Sequence, residues 1–94
     1  MTINAARLTV FEVGEHDWFI ASSAEEALAE MESLTGADHL TIEDVKQITV
    51  EDMQGMTYYE DIYNRTGERS FLEQVGRLIL DNEWKPGIFA TSDI

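Results

Sequence analysis

No cysteine occurs among the 94 residues, so disulfides, thiol nucleophiles and thiolate metal sites are excluded. The lack of disulfides fits a reducing compartment. There is one proline, and the longest apolar runs span about four residues, far short of the roughly 20 that a membrane helix needs. The opening Met1-Thr2-Ile3-Asn4 lacks the basic region and long apolar core of a signal peptide, which makes a cytoplasmic location the expectation. Positive charge is the scarcest commodity. Six Lys and Arg face nineteen Asp and Glu, a formal net charge of −13. Such a surface repels nucleic acid and anionic membranes, which are themselves densely negative. It is attracted to basic proteins and is steered quickly toward them. Self-repulsion of that charge costs stability, so moderate salt should raise the melting temperature by screening it. A melting temperature flat from low to moderate salt would show that the charges are already compensated locally.

Chemical motifs are equally sparse. No glycine-rich phosphate loop is present. Ser22, Ser23, Ser33, Ser70 and Ser92 fall in no nucleophile-elbow pattern. His16 lies between Glu15 and Asp17, but sequence neighbours point apart, and His39 has no partner at ligand spacing. A closed zinc site needs four well-spaced ligands. Nothing places two carboxylates in an apolar cleft, as a glycosidase acid and base require. No catalytic, metal or cofactor residue is assigned, and a non-enzymatic role is the expectation.

What is present specifies a fold. The apolar fraction of 44% fits a globular chain, read as a single acidic α+β domain over residues 1–94. A chain of this size buries roughly 60–65% of its unfolded surface. The stretch from Asp17 to Leu34 is the most informative. Trp18, Phe19, Ile20 and Ala21 make a short, strand-favouring run. Ser22 or Ser23 then caps a helix, each followed three residues later by a glutamate, Glu25 or Glu26. Ala24, Ala27, Leu28, Met31 and Leu34 fall on one helical face. Glu25, Glu26, Glu30 and Glu32 take the remainder, and Gly36 supplies a left-handed stop.

Before this unit, Arg7 to Val13 reads as a strand, with Leu8 and Val10 on one face and Thr9, Phe11 and Val13 on the other. The Gly14–Asp17 turn makes the first two strands an antiparallel hairpin. After it, Thr41 caps a single helical turn, Lys46–Val50 reads as a third strand, Glu51–Gly55 as a turn and Met56–Tyr63 as a fourth strand. Asn64–Glu68 reads as a loop. Ser70 opens a second helix with Glu73 completing a capping box, and Phe71, Leu72, Val75, Leu78 and Ile79 form its apolar face. Gly76 inside that helix costs roughly 1 kcal/mol relative to alanine. Asp81-Asn82 closes it, and Ile88–Ala90 is a last strand. The order β-β-α-β-β-α-β suits a mostly antiparallel sheet of four to five strands with two amphipathic helices on one face. Trp18, Phe19, Tyr58, Tyr59 and Tyr63 are candidates for the other face, where an exposed edge strand would allow a homodimer.

Acid pairs recur at Glu43-Asp44, Glu51-Asp52 and Glu60-Asp61, too closely spaced for a structural repeat. They lack the alternate acids and glycine of a calcium loop. As a distributed acidic surface, Glu25, Glu26, Glu30, Glu32, Glu43, Asp44, Glu51 and Asp52 are the candidate partner-binding residues. They would present a sparse row of carboxylates to an arginine-lined groove. Arg65, Arg69 and Arg77 are read as local ion-pair partners of Glu68, Glu73 and Asp81. Two other readings use different chemistry: an oligomeric module binding through the aromatic sheet face, and a protein that sequesters a small ligand such as a nucleotide.

The segment Asp17-Trp18-x-x-Ala21-x-Ser23-x-Glu25-Glu26-Ala27, with Thr66-Gly67-Glu68, Ser70-Phe71 and Phe89-Ala90-Thr91-Ser92, resembles small acidic proteins of bacteriophages and prophages. These look like the class that includes anti-CRISPR proteins and other inhibitors of host defence, several of which mimic nucleic acid. The resemblance implies a cytoplasmic protein of the infected host whose partner is a basic, nucleic-acid-handling protein, such as a CRISPR effector subunit. It implies no direct contact with nucleic acid or membrane.

Overall fold

The computed structural model describes residues 8–36, 39–61 and 64–91. Tyr63 and Ser92, singled out above, lie outside them. The fold is α+β. Its main sheet is four-stranded and antiparallel, in the order β3 (Val45–Gln47), β1 (Thr9–Val13), β2 (Asp17–Ala21), β6 (Gly87–Thr91), and a second sheet pairs β4 (Thr57–Asp61) with β5 (Thr66–Ser70). The chain divides into two compact units.

Among the described residues the first unit runs to Ile48 and resumes at Lys85. Strands β1 (Thr9–Val13) and β2 (Asp17–Ala21) form the expected hairpin, with Phe11 opposite Phe19 and Val10 opposite Ile20. Gly14 makes the turn at φ 75°, a conformation that suits glycine. Helix α1 (Ala24–Thr35) follows and covers one sheet face. A short 3-10 turn (Ile42–Asp44) leads into β3 (Val45–Gln47), which pairs with β1. Strand β6 (Gly87–Thr91) completes the sheet beside β2, with a bulge at Phe89. The core under α1 is Phe11, Val13, Phe19, Ala21, Ala27 and Met31, joined by Ala24, Leu28, Leu40 and Val45. Strict alternation along β1 and β2 produces this layer, because residues two apart share a face. Val10 and Ile20, on the opposite face, are also buried.

Phe19 is therefore a core residue, 1% exposed, and is not available to an aromatic binding face. The alternation also corrects the third strand. It ends at Gln47, so Ile48 is buried while Val50 is 60% exposed. Thr49 begins a helix instead of continuing the strand.

The second unit runs from Thr49 to Trp84. Helix α2 (Val50–Gly55) occupies the segment expected to be a turn. Six residues are too few to show helical periodicity, and its one buried side chain is Met53. Strand β4 (Thr57–Asp61) pairs with β5 (Thr66–Ser70), which lies mostly where a loop was expected. The misleading residue is Gly67. Its φ is 70°, and a Cβ built there would lie 2.5 Å from Cβ of Glu60 on the facing strand. Glycine inside a strand commonly marks such a close approach. Helix α3 (Phe71–Leu80) packs on this hairpin. Its start is tied down by the Phe71 amide donating to the Met56 carbonyl at 2.8 Å. Asn82 closes it at φ 61°, as the Asp81-Asn82 stop anticipated.

Arg69 anchors the hairpin to α3. Its guanidinium donates to Gln74 Oε1 at 2.6 Å and to Glu60 Oε2 at 2.7 Å, and lies 5.8 Å from the Tyr58 ring centroid. Tyr58 also meets Phe71 edge-on, with ring centroids 6.4 Å apart. The partner of Arg69 is thus Glu60, not one of the acids adjacent to it in sequence.

Candidate acidic partner-binding surface

The eight candidate carboxylates fall into two populations, and six of them lie in one short sequence pattern. At three places a hydroxyl residue precedes an acid pair: Ser23-Ala24-Glu25-Glu26, Thr41-Ile42-Glu43-Asp44 and Thr49-Val50-Glu51-Asp52. In each the hydroxyl is the helix N-cap and the fourth residue folds back onto the backbone. The Glu26 amide donates to Ser23 Oγ at 3.1 Å, while Glu26 Oε1 accepts from the Ser22 amide at 2.8 Å and the Ser22 hydroxyl at 3.2 Å. Ser22 and Ser23 therefore both serve the cap, Ser23 directly and Ser22 through Glu26. Asp44 Oδ2 accepts from the Thr41 amide at 2.8 Å. Asp52 Oδ2 accepts from the Thr49 amide at 3.3 Å, and the Asp52 amide donates to Thr49 Oγ1 at 3.0 Å. Ser70 and Glu73 repeat the arrangement at α3. Among the recurring acid pairs Glu60-Asp61 lies in β4 instead; the pairs Glu43-Asp44 and Glu51-Asp52 are the ones that close capping boxes. Each satisfies amides that a helix start leaves without intrahelical partners.

Glu26, Asp44 and Asp52 consequently have a structural task. The other five, Glu25, Glu30, Glu32, Glu43 and Glu51, do not cap, and all but the half-buried Glu30 are exposed. On α1 the buried side is Ala27 and Met31. Helical spacing puts Glu25 and Glu32 on one flank, about 10 Å apart along the axis, and Glu26 and Glu30 on the other, about 6 Å apart. Ala29 and Ser33 form the ridge between them. The 3-10 turn packs against α1 in the same unit, which brings Glu43 to this part of the fold. The Asp44 carbonyl accepts from the Gly14 amide at 3.0 Å, which ties that turn to the β1–β2 connection carrying Glu15. Glu51 and Asp52 belong to the second unit.

The electrostatics of α1 are one-sided. Its first turn carries Glu25 and Glu26, where the helix dipole favours anions, but its last turn holds no basic residue. Glu32 lies in that last turn, where negative charge is disfavoured. Glu26 and Glu30, four residues apart, repel by a few tenths of a kcal/mol.

Among the described residues no group of His, Asp and Glu is arranged to hold a metal ion. His16 is exposed, and its carbonyl accepts from Thr91 Oγ1 at 3.2 Å. No helix among them is long and apolar enough to cross a membrane. Of the proposed aromatic face, Trp18 and Tyr59 are half-buried, and Tyr58 is engaged with Phe71 and Arg69. The division of the acids was latent in the sequence. A Thr three residues before only the second acid marks Asp44 and Asp52 as the capping carboxylates, whereas Ser22 and Ser23 fit Glu25 and Glu26 equally and the structure separates those two. Comparison with known proteins adds no relative: no family model, curated protein or solved structure matches the chain.

Proposed function

We propose that this protein is a non-enzymatic inhibitor of the bacteriophage type. It binds a basic, nucleic-acid-handling host defence protein, such as a CRISPR effector subunit, through the outward carboxylates of α1 and the neighbouring 3-10 turn. The observation that carries this reading is the uncompensated acidity of α1. Four glutamates and no base occupy a helix whose last turn would be more stable with a lysine. Glu25 and Glu26 suit the helix start, whereas Glu30 and Glu32 oppose helix stability, which a binding requirement would account for. Opposite charge on the partner would supply the missing compensation and accelerate encounter.

Glu30→Lys combined with Glu32→Lys separates the two effects. The double variant should melt at or above the wild-type temperature, since it places cations toward the helix C-terminus. It should bind a purified CRISPR effector complex roughly tenfold more weakly, with a shallower dependence on salt. In a host with an active CRISPR system, wild-type protein should restore plaque formation by a targeted phage, and the double variant should restore less. Unchanged affinity in the double variant removes α1 from the interface. Failure of the wild type both to bind and to restore plaques contradicts the CRISPR reading itself.

A further inference from the structure

The two edges of the main sheet differ in how they are guarded. At one, β3 is three residues long and presents the exposed Lys46 and Gln47. Shortness and charge are usual defences against strand pairing. At the other, β6 spans five residues, none of them charged, and among the described residues it pairs with β2 alone. Its sole guard is the bulge at Phe89. An edge strand presents backbone amides and carbonyls outward. Ile88 stands opposite Phe19, and Thr91 opposite Asp17. Phe19 belongs to the core under α1, and opposed residues and residues two apart share a face, so all four lie on the face that α1 covers. Ile88 is nonetheless 49% exposed.

The flank of α1 above this edge is acidic. Leu28 joins Leu40 and Val45 in the core, and Val45 begins β3, so the flank holding Leu28 lies toward β3. The opposite flank, with Glu30 and the 59% exposed Leu34, overlooks β6, which α1 also contacts. A right-handed crossover from β2 through α1 to the parallel β3 gives the same placement.

We infer that the shelf between this flank and the outer edge of β6 receives an extended, cation-bearing segment of the partner, which adds a strand to the sheet. Backbone pairing supplies affinity, and alternate side chains supply specificity. Charge selects the occupant. Glu30 and Asp17 border the shelf, while the described lysines of the first unit lie elsewhere. Lys46 is opposite Glu12 on the other face, and Lys85 precedes β6, at the end away from Thr91 and Asp17. Side chains of the added strand that turn toward α1 lay their aliphatic stems on Ile88 and Leu34 and carry their cations to Glu30 and Asp17, as lysine and arginine can. A second copy is disfavoured: pairing β6 with β6 about a two-fold axis brings two acidic α1 flanks face to face. The inference rests on the basic partner proposed above and names the form in which that partner binds.

Selection from a displayed library of short random peptides tests it without any CRISPR component. Wild-type protein is expected to enrich peptides that alternate Lys or Arg with β-branched residues. Ile88→Lys and Glu30→Lys should each weaken binding of the selected peptides by roughly tenfold. Neither side chain is buried, so far-UV circular dichroism of both variants should remain native. Glu51→Lys changes the charge as much as Glu30→Lys, but in the second unit, and should leave binding unchanged. N-methylation of every second peptide amide should abolish binding in one register and spare it in the other, because only alternate amides of a strand face its neighbour. No enrichment of basic peptides, an equal loss with Glu51→Lys, or indifference to N-methylation in both registers would overturn the inference. The CRISPR effector measurement stands or falls separately from these outcomes.

Discussion

Replacing Phe19 by alanine should remove about 3–5 kcal/mol of stability, the usual cost of truncating a fully buried phenylalanine. Domains of this size have only about 5–15 kcal/mol in total. Phe19 is 1% exposed, lies opposite Phe11 in the sheet and belongs to the cluster beneath α1. Within the cluster Val13, Ala21 and Ala27 are too small to fill the resulting hole, so closing it falls to Phe11 and Met31. At about 4–8 °C per kcal/mol the melting temperature should fall by at least roughly 12 °C. Fluorescence of the adjacent Trp18, in a background with Trp84→Phe, reports on the first unit by itself. Phe19→Leu should cost under about 1.5 kcal/mol because much of the volume is retained. A loss below about 1 kcal/mol for Phe19→Ala would mean that the core is not organised around this layer.

Arg69→Ala should destabilise the second unit by about 2–3 kcal/mol. The ion pair is the smaller part of it. Glu60 is 67% exposed, so solvent screening keeps that pair at or below about 1 kcal/mol. The larger part comes from Gln74, which is 9% exposed and would lose the guanidinium that its side-chain oxygen accepts from. An unsatisfied buried acceptor costs roughly 1–3 kcal/mol. Loss of the arginine stem packed near Tyr58 adds to this. Glu60→Gln should therefore be mild while Arg69→Ala is severe, as read by urea denaturation. Arg69→Lys should recover little, because one ammonium does not reproduce a fork reaching two acceptors. Equal effects of Glu60→Gln and Arg69→Ala would assign the stability to the ion pair instead.

The sequence carried the elements that are long enough to repeat. The β1–β2 hairpin, α1 with its Ser23 cap and Gly36 stop, and α3 with its Ser70–Glu73 box were legible. In each, three or more side chains report the same period. α2 was not legible, because one buried methionine in six residues defines no period. Its only signal was Thr49 three residues before Asp52, a capping box written with aspartate. Strand β5 was hidden by Gly67, a turn-forming residue that serves a close backbone approach to Glu60. The acid surface was legible in composition but not in its division. Net charge counts Glu25 and Glu26 alike, whereas backbone geometry gives one to solvent and the other to the Ser22 amide.

That division is the centre of the account, and two triple variants of equal charge test it. Glu26→Ala, Asp44→Ala and Asp52→Ala remove three capping carboxylates. Glu30→Ala, Glu32→Ala and Glu43→Ala remove three that do not cap. Each triple changes the net charge from −13 to −10 (−13 + 3), so general repulsion is relieved equally. The decisive measurement is the urea midpoint of both beside wild type. The capping triple should lose roughly 1.5–3 kcal/mol, about the sum of three lost carboxylate–amide hydrogen bonds with the N-cap hydroxyls left in place, and the other should match or exceed wild type. Equal midpoints for the two triples would contradict the account, because the carboxylates would then matter to the fold only as charge.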